Sequence, residues 1–187
     1  MRYFMEGRTS ESPYIEMVWR GETGPDYAPT CPADVNWNFL FQKHGKNIQV
    51  LVEGPLTKAK PKTQPDGMEF LVIKFKLGAY LSQLPVMNLP DNAAMLPEGA
   101  GQSFYLNGSV WQFPDYDNVE TFVERLVREA VLVNEPVVKG VLRHEPQDLS
   151  SRTVRRRFLH ATGLTPNTIQ QIERAQRAMA MLQAGVP

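Results

Sequence analysis

The period of the apolar residues changes near residue 115, and this change restricts the chain to folds that join a β region to a helical region. Before residue 115, short apolar runs alternate with polar residues and are separated by turns rich in proline and glycine. After residue 115, apolar residues recur every three to four positions. A period of two predicts half-buried strands, and a period of 3.6 predicts amphipathic helices. We therefore expect an α+β chain in which strands precede helices.

Four segments of the first region carry the strand pattern. They are residues 14–20, 36–41, 48–52 and 70–77. Residues 43–47 are predicted to form a hairpin loop, and residues 55–67, which contain three prolines, are predicted to form a longer loop. Several short strands separated by turn signals are typical of a β-sandwich or β-barrel. We expect this β region to span residues 1–114.

The aromatic side chains of the β region have two interpretations. They would line a ligand pocket inside the barrel, or they would form its ordinary core, to which aromatic residues contribute a large buried area. We favour the core for most of them, because only an analogy with other barrels supports the pocket. The residues concerned are Trp19, Trp37, Phe39, Phe41, Phe75 and Tyr80.

A helical pattern begins after Asp115. Apolar residues at helical spacing predict a helix over residues 117–131, which the sequence Asn134-Glu135-Pro136 interrupts. We expect residues 115–136 to form a linker helix between the β region and residues 137–187. The expected buried face consists of Val119, Phe122, Val123, Leu126, Val127 and Ala130.

The last part of the chain carries clear signals for helix ends. A short helix is expected from residue 137 to about 144, followed by a turn. Ser150 is expected to cap a helix over residues 151–162, and Gly163 to end it. Thr165 and Pro166 then predict the start of a long helix that reaches about residue 184. Its expected buried stripe is Ile169, Ile172, Ala175, Met179 and Leu182.

Positive charge is concentrated in this last part. Residues 150–187 hold six of the 20 basic residues and one of the 20 acidic residues, so their net charge is +5, whereas residues 1–149 carry −5. Arg152, Arg155 and Arg156 are spaced to share one face of a helix. Such a helix fits the major groove, where arginine binds guanine O6 and N7. An arginine-rich helix that only packs on a small domain is the alternative, and these residues alone leave both open.

One longer motif resembles a known family. The pattern Leu-Ser-x-Arg-Thr-Val-x-Arg-x-Phe at residues 149–158 resembles the first helix-turn-helix of AraC-family transcription regulators. Residues 163–166, Gly-Leu-Thr-Pro, are similar to the turn that follows it in that family. The positions that match the family's long linking helix are Ile169, Arg174, Ala178 and Leu182.

The resemblance implies a function and a set of site residues. It implies a transcription activator or repressor that binds double-stranded DNA through residues 137–187. Arg152, Arg155 and Arg156 fall where the family's recognition helix touches bases or backbone, whereas Phe158, Gly163 and Pro166 fall at structural positions. The full expected DNA-binding set is Ser151, Arg152, Arg155, Arg156, Arg157 and Arg174, with Arg177 as a further phosphate contact.

The resemblance extends to the β region. Residues 1–133 are similar to the sensor or dimerisation half of some AraC-like proteins, usually a cupin-like β-barrel. This implies a small-molecule effector and a homodimer as further partners. The family carries two helix-turn-helix units, and this sequence stops at Pro187, where the second would begin. We therefore expect weak specific DNA binding by this form unless two chains pair.

Enzymatic and metal-dependent chemistry is not expected. Only one of the three histidines, His44, lies in the β region, so neither a cupin metal site nor another cofactor is predicted. Cys31 is the single cysteine and has no obvious paired base, which favours an unreactive thiol and a cytoplasmic location. No membrane segment or secretion signal is expected.

The sequence is compatible with two other functions. One is a cupin-type small-molecule binder or enzyme whose helical tail is only structural. The other is a protein-interaction module that pairs through the helix at residues 117–131.

Overall fold

The computed structural model describes residues 4–25 and 27–185. The strands precede the helices along the chain, except for one short strand after the first helix, and the predicted α+β class is confirmed. The strands are β1 (Phe4–Thr9), β2 (Ile15–Glu22), β3 (Thr30–Cys31), β4 (Asn38–His44), β5 (Asn47–Glu53), β6 (Lys60–Pro61), β7 (Glu69–Phe75), β8 (Ala79–Leu81), β9 (Ala93–Leu96), β10 (Ser103–Leu106), β11 (Ser109–Gln112) and β12 (Leu132–Asn134). The helices are α1 (Val119–Arg128), α2 (Pro136–Leu142), α3 (Ser151–Thr162) and α4 (Pro166–Gln183).

A six-stranded antiparallel sheet is the largest element. Its strand order is β1-β2-β7-β4-β5-β9. The β4–β5 hairpin turns at Gly45 and Lys46, and the left-handed φ of 61° at Gly45 suits a tight turn. The predicted loop at residues 43–47 is therefore shorter than expected, because both strands extend into it.

One face of this sheet is covered by the main core. Alternation along β4 directs Phe39 and Phe41 to this face, as predicted, and Trp37 precedes them in the same cluster. The ring centroids of Trp37 and Phe75 lie 4.1 Å apart in a stacked arrangement. The buried side of α1 and the β10–β11 hairpin close this core with Val119, Phe122, Val123, Leu126, Phe104, Leu106 and Trp111.

The segment predicted as a linker contributes to the β region. The apolar side of α1 packs in the main core, and β12 pairs with β8. Arg8 of β1 fixes α1 from the sheet side with two hydrogen bonds to Glu120, of 2.6 and 2.8 Å. Ala130 was expected on the buried face and is exposed, because α1 ends at Arg128 and the chain turns with a positive φ of 54° at Ala130.

The last three helices enclose a second, smaller core. Its members are Val35, Val138, Phe158, Ala161, Leu164, Ile169 and Ile172. The connection between α2 and α3 runs over residues 143–150, which is longer than the three or four residues that usually join the helices of a helix-turn-helix. The connection between α3 and α4 is three residues long, 163–165.

The predicted buried stripe of α4 is correct only in its first half. Ile169 and Ile172 are buried, whereas Ala175, Met179 and Leu182 are exposed. The second half of α4 extends past the small core, so its apolar side chains find no neighbour to cover them among the described residues.

Among residues 4–25 and 27–185, no helix is both long and apolar enough to span a membrane.

Residues 136–185, which contain α2, α3 and α4 and are called the helical unit below, are anchored to the β region by direct contacts. Val35, which precedes β4, is buried in the small core, and Gln176 of α4 donates a 2.8 Å hydrogen bond to the carbonyl of Ala33. The rings of Tyr80 and His160 meet edge to face at 5.1 Å. The two regions therefore share one continuous packed structure.

Candidate nucleic-acid interface

The ends of α3 are fixed as its sequence predicts. Ser150 is the N-cap, and its hydroxyl accepts a hydrogen bond from the amide of Thr153. Gly163 ends the helix in the left-handed region, at φ 70°. A Cβ at this glycine would lie 2.8 Å from the carbonyl oxygen of Val86, so the close approach also requires glycine. These constraints set the length and position of α3.

The buried side of α3 determines which side faces outward. Phe158 and Ala161 are almost fully buried in the small core. The hydroxyl of Thr162 donates to the carbonyl of Phe158 and accepts from the amide of Leu164, which holds the turn into α4. With this side packed, the residues on the opposite side of the helix point to solvent.

Three predicted contact residues lie together on the outward side. Arg152, Arg155 and Arg156 are all exposed. None of them has an acidic side chain or another hydrogen-bond partner among residues 4–25 and 27–185. Their spacing of three and four residues places the guanidinium groups on one side of α3. Three unpaired cations on one short helix form a surface that favours a polyanion.

Arg157 has a different role from its neighbours. Its Nε donates a 2.8 Å hydrogen bond to one carboxylate oxygen of Glu135, and a terminal nitrogen lies 2.8 Å from the other oxygen in an ion pair. This contact raises the pKa of Arg157 above its usual value. Glu135 is only 7% exposed and also accepts from the amide of Val137, so it caps α2. Arg157 therefore joins α3 to the start of α2.

The remaining predicted DNA contacts lie at the edges of this surface. Ser151 is exposed in the first turn of α3. Arg174 and Arg177 are exposed on α4, and Arg177 donates to the carbonyl of Glu173. They can add positive potential beside α3, but they belong to a different helix.

The aromatic residues proposed as a pocket lining separate into two groups. Trp37, Phe39, Phe41 and Phe75 lie in the main core, packed against one another, as the favoured interpretation predicted, and Tyr80 is partly buried against the same core. Trp19 lies on the other face of the sheet, where it lines a cleft of about 490 Å³. This volume is in the range of small-ligand sites.

The cleft lies between the second face of the sheet and two covering segments, residues 27–36 and 54–68. Leu40, Phe70 and Val72 form apolar walls beside Trp19. Asn38 and Gln42 of β4 also line it, and their Oδ1 and Nε2 atoms are shielded from solvent without a hydrogen-bond partner among the described residues. Buried polar atoms without a partner are unusual, because each costs desolvation energy.

The charged groups of the cleft are largely neutralised by one another. Lys74 pairs with Asp34, and Lys62 pairs with Glu53 at 2.6 Å. Cys31 also lines the cleft, and burial raises the pKa of its thiol. Sequence reasoning missed this site, because polar residues that alternate with buried aromatics on β4 are normally assigned to solvent. The one available signal was that Leu40, on the same face as Asn38 and Gln42, is apolar.

Comparison with known proteins does not add a relative. No family model matches the chain, and comparisons with curated proteins and with solved structures give no match either. Across the described ranges, no group of three or more histidine, cysteine, aspartate or glutamate residues is placed to hold a metal ion.

Proposed function

We propose that the protein is a DNA-binding transcription regulator of the AraC type, in which α3 reads the major groove. Arg152, Arg155 and Arg156 contact base edges or phosphates, and the start of α3 lies against the backbone. Arg174 and Arg177 strengthen binding through phosphate contacts. The β region, a cupin-like barrel in this proposal, controls the cytoplasmic regulator through a small ligand or through pairing of two chains.

The observation that carries the proposal is the free arginine side of α3. A protein normally pairs or disperses like charges, because three adjacent cations repel one another. Arg157, on the same helix, is paired with Glu135, which shows that the chain can supply an acid where packing needs one. The unpaired state of the other three arginines favours an external anion, and arginine suits both phosphate and guanine.

The long connection before α3 separates it from α2 more than in the usual helix-turn-helix. The 143–150 segment does not have the length of the usual helix-turn-helix turn. Groove reading is therefore assigned to α3 alone, and the position of α2 on the DNA backbone is not assigned.

The first experiment measures the electrostatic part of binding. Fluorescence anisotropy with a random pool of short duplexes is recorded over a series of salt concentrations, for the wild type and for the triple variant Arg152→Ala/Arg155→Ala/Arg156→Ala. Each lost phosphate contact reduces the salt slope of the binding constant by about 0.9. We expect the triple variant to lose about two to three units of slope and most of its affinity.

A matched control separates α3 from charge in general. Lys46→Ala/Lys58→Ala/Arg128→Ala removes three exposed cations that lie outside α3 and α4. We expect this variant to bind almost as the wild type does. Equal losses in both triple variants, or no binding by the wild type even at low salt, would refute the proposal.

Sequence reading is tested at a site selected from the same random pool. At the selected sequence, Arg152→Ala or Arg156→Ala should cost about 1–3 kcal/mol if the side chain bonds a guanine on two atoms. Unchanged affinity for both variants would remove α3 from the base contacts and leave only backbone binding.

A small-molecule-binding protein with a structural helical tail is the second candidate, and the cleft on the sheet favours it. An interaction module that pairs through α1 has less support, because the apolar side of α1 is buried in its own main core. If the wild type fails to bind DNA but binds a ligand in the cleft, the second candidate replaces the first.

A further inference from the structure

We propose that the cleft between the sheet and residues 27–36 and 54–68 binds a flat, uncharged molecule with one hydrogen-bond donor and one acceptor, and that residues 32–36 relay its occupancy to the helical unit. Of the residues predicted to line an aromatic pocket, Trp19 lies in this cleft, whereas Trp37, Phe39, Phe41 and Phe75 lie in the main core on the other face of the sheet. The inference deepens the proposed function, since it names the class of effector and the element that senses it.

The chemistry of the cleft selects an uncharged ligand. Three basic and three acidic side chains line the cleft, so they add no net charge: Lys74 pairs with Asp34, Lys62 pairs with Glu53, and the other two are Lys60 and Asp91. An ionic ligand therefore meets no excess of opposite charge that would offset its own desolvation. The indole of Trp19 and the phenyl ring of Phe70 supply flat apolar surface. A planar, largely apolar molecule gains most from such walls.

The two unpartnered amides select the polar groups of the ligand. Asn38 Oδ1 accepts a hydrogen bond and Gln42 Nε2 donates one, and neither has a partner among the described residues. They lie on the same face of β4, four residues apart, which is about 13 Å along a strand. A ligand that satisfies both therefore carries its donor and acceptor at opposite ends, with Leu40 beneath its middle.

Residues 32–36 contact both the cleft on the sheet and the small core of the helical unit. Asp34 and Asn36 line the cleft, whereas Ala33 and Val35, between and beside them, contact the small core of the helical unit. The carbonyl of Ala33 accepts the hydrogen bond from Gln176 of α4. A ligand that shifts or stiffens this segment changes the packing of α4 in this proposal, because the residues that contact the cleft and those that contact α4 are neighbours in one short stretch of backbone.

Ligand binding is tested with 7-amino-4-methylcoumarin, a neutral flat fluorophore with an amine at one end and a carbonyl at the other. We expect saturable binding to the wild-type chain, and no binding of the anionic analogue 7-hydroxycoumarin-3-carboxylate. Asn38→Leu and Gln42→Leu should each weaken binding by about fivefold, the value of one hydrogen bond. Tyr105→Leu, an exposed position on β10, is the control and should bind normally. No saturation up to about 1 mM, or tighter binding of the anion, overturns the ligand class.

Two measurements locate the binding site without relying on a variant. Cys31 is the only cysteine and lines the cleft, so bound coumarin should slow its reaction with a disulfide reagent at alkaline pH at least threefold. In the absence of ligand, Asn38→Leu and Gln42→Leu should raise the thermal midpoint, because each removes an unpaired buried polar atom. Unprotected Cys31, or a lower midpoint in both variants, overturns the site.

The relay is tested by hydrogen exchange, which does not depend on DNA. Saturating coumarin should change the exchange of amides in α4 near Gln176, and Gln176→Ala should abolish that change while coumarin still binds. A ligand effect confined to the strands overturns the relay. Failure of DNA binding with these results intact would count against the regulator and not against this inference.

Discussion

The main sheet and helix α3 each have one side packed in a core, called the closed side below, and an opposite side, called the open side, that carries polar groups without a partner among the described residues. The unpartnered groups on the two open sides differ in their chemistry. On the sheet, one face is a dry aromatic core and the opposite face leaves two neutral amide atoms without a partner. On α3, Phe158 and Ala161 are buried and the opposite side leaves three guanidinium groups unpaired. Neutral amides beside the apolar walls of the cleft suit a small uncharged molecule, and exposed guanidinium groups suit a polyanion.

The difference shows that the two regions have separate binding chemistries joined by shared packing. The two regions meet at residues 33 and 35, at Leu77 and Tyr80, and at residues 86–90, where Val86 lies against the end of α3 at Gly163. The following predictions test whether the closed sides carry stability and the open sides carry binding.

The largest expected effect is on the free energy of unfolding, and it compares leucine-to-alanine substitutions on the two faces of the sheet. Leu126→Ala in α1 should lower the free energy of unfolding by about 4–5 kcal/mol, because Leu126 is fully buried in the main core. Leu40→Ala should cost about 2–3 kcal/mol, because one side of Leu40 already borders the cleft. Urea denaturation of both variants measures the difference. Equal losses would mean that the cleft face is packed as tightly as the core.

A smaller effect tests how α1 is held on the closed face. The hydrogen bonds from Arg8 lower the pKa of Glu120 from 4.5 to about 2. A carboxyl with a lowered pKa stabilises the fold above pH 4.5, and this contribution is lost as the pH falls towards 2. Because both side chains are 32% exposed, screening reduces the contribution to about 1–2 kcal/mol.

Glu120→Gln should remove this part of the acid sensitivity. Thermal midpoints at neutral pH and at about pH 3 measure it. The variant should be less stable than the wild type at neutral pH, and the gap should narrow at the acid pH. A constant gap at both values would show that Glu120 acts through packing and not through its charge. Arg20→Gln, at an exposed ion pair with Glu6, is the control and should show little pH-dependent change.

The next effect concerns the joint between α2 and α3. Glu135→Ala removes the N-cap of α2 and the partner of Arg157, and it should destabilise the chain by about 0.5–2 kcal/mol. Hydrogen exchange of the α2 amides should rise more than that of α1. Uniform loosening of the whole chain would show that the helical unit does not open separately.

The sequence predicted the helix ends far better than the site on the sheet. Ser150, Gly163 and Thr165 were placed correctly, because caps depend on a few neighbouring residues. The cleft could not be predicted, because it requires distant segments to cover the polar side of β4. The pairing of Arg157 with Glu135 spans 22 residues, and no local pattern separates Arg157 from Arg156. The exposed half of α4 was missed for the same reason, since periodicity gives a face but not its partner.

Two adjacent arginines of α3 are expected to behave in opposite ways, and one of them gives the smallest expected effect on stability. Arg156→Ala should change the free energy of unfolding by less than about 0.5 kcal/mol, because Arg156 is exposed and has no partner among the described residues. Arg157→Ala should lower the thermal midpoint more, because it leaves the buried carboxylate of Glu135 without its cation. In the DNA assay the order should reverse, with the greater loss for Arg156→Ala. If Arg157→Ala loses more DNA affinity while α3 stays folded by circular dichroism, the paired side of α3, and not its open side, would face the nucleic acid.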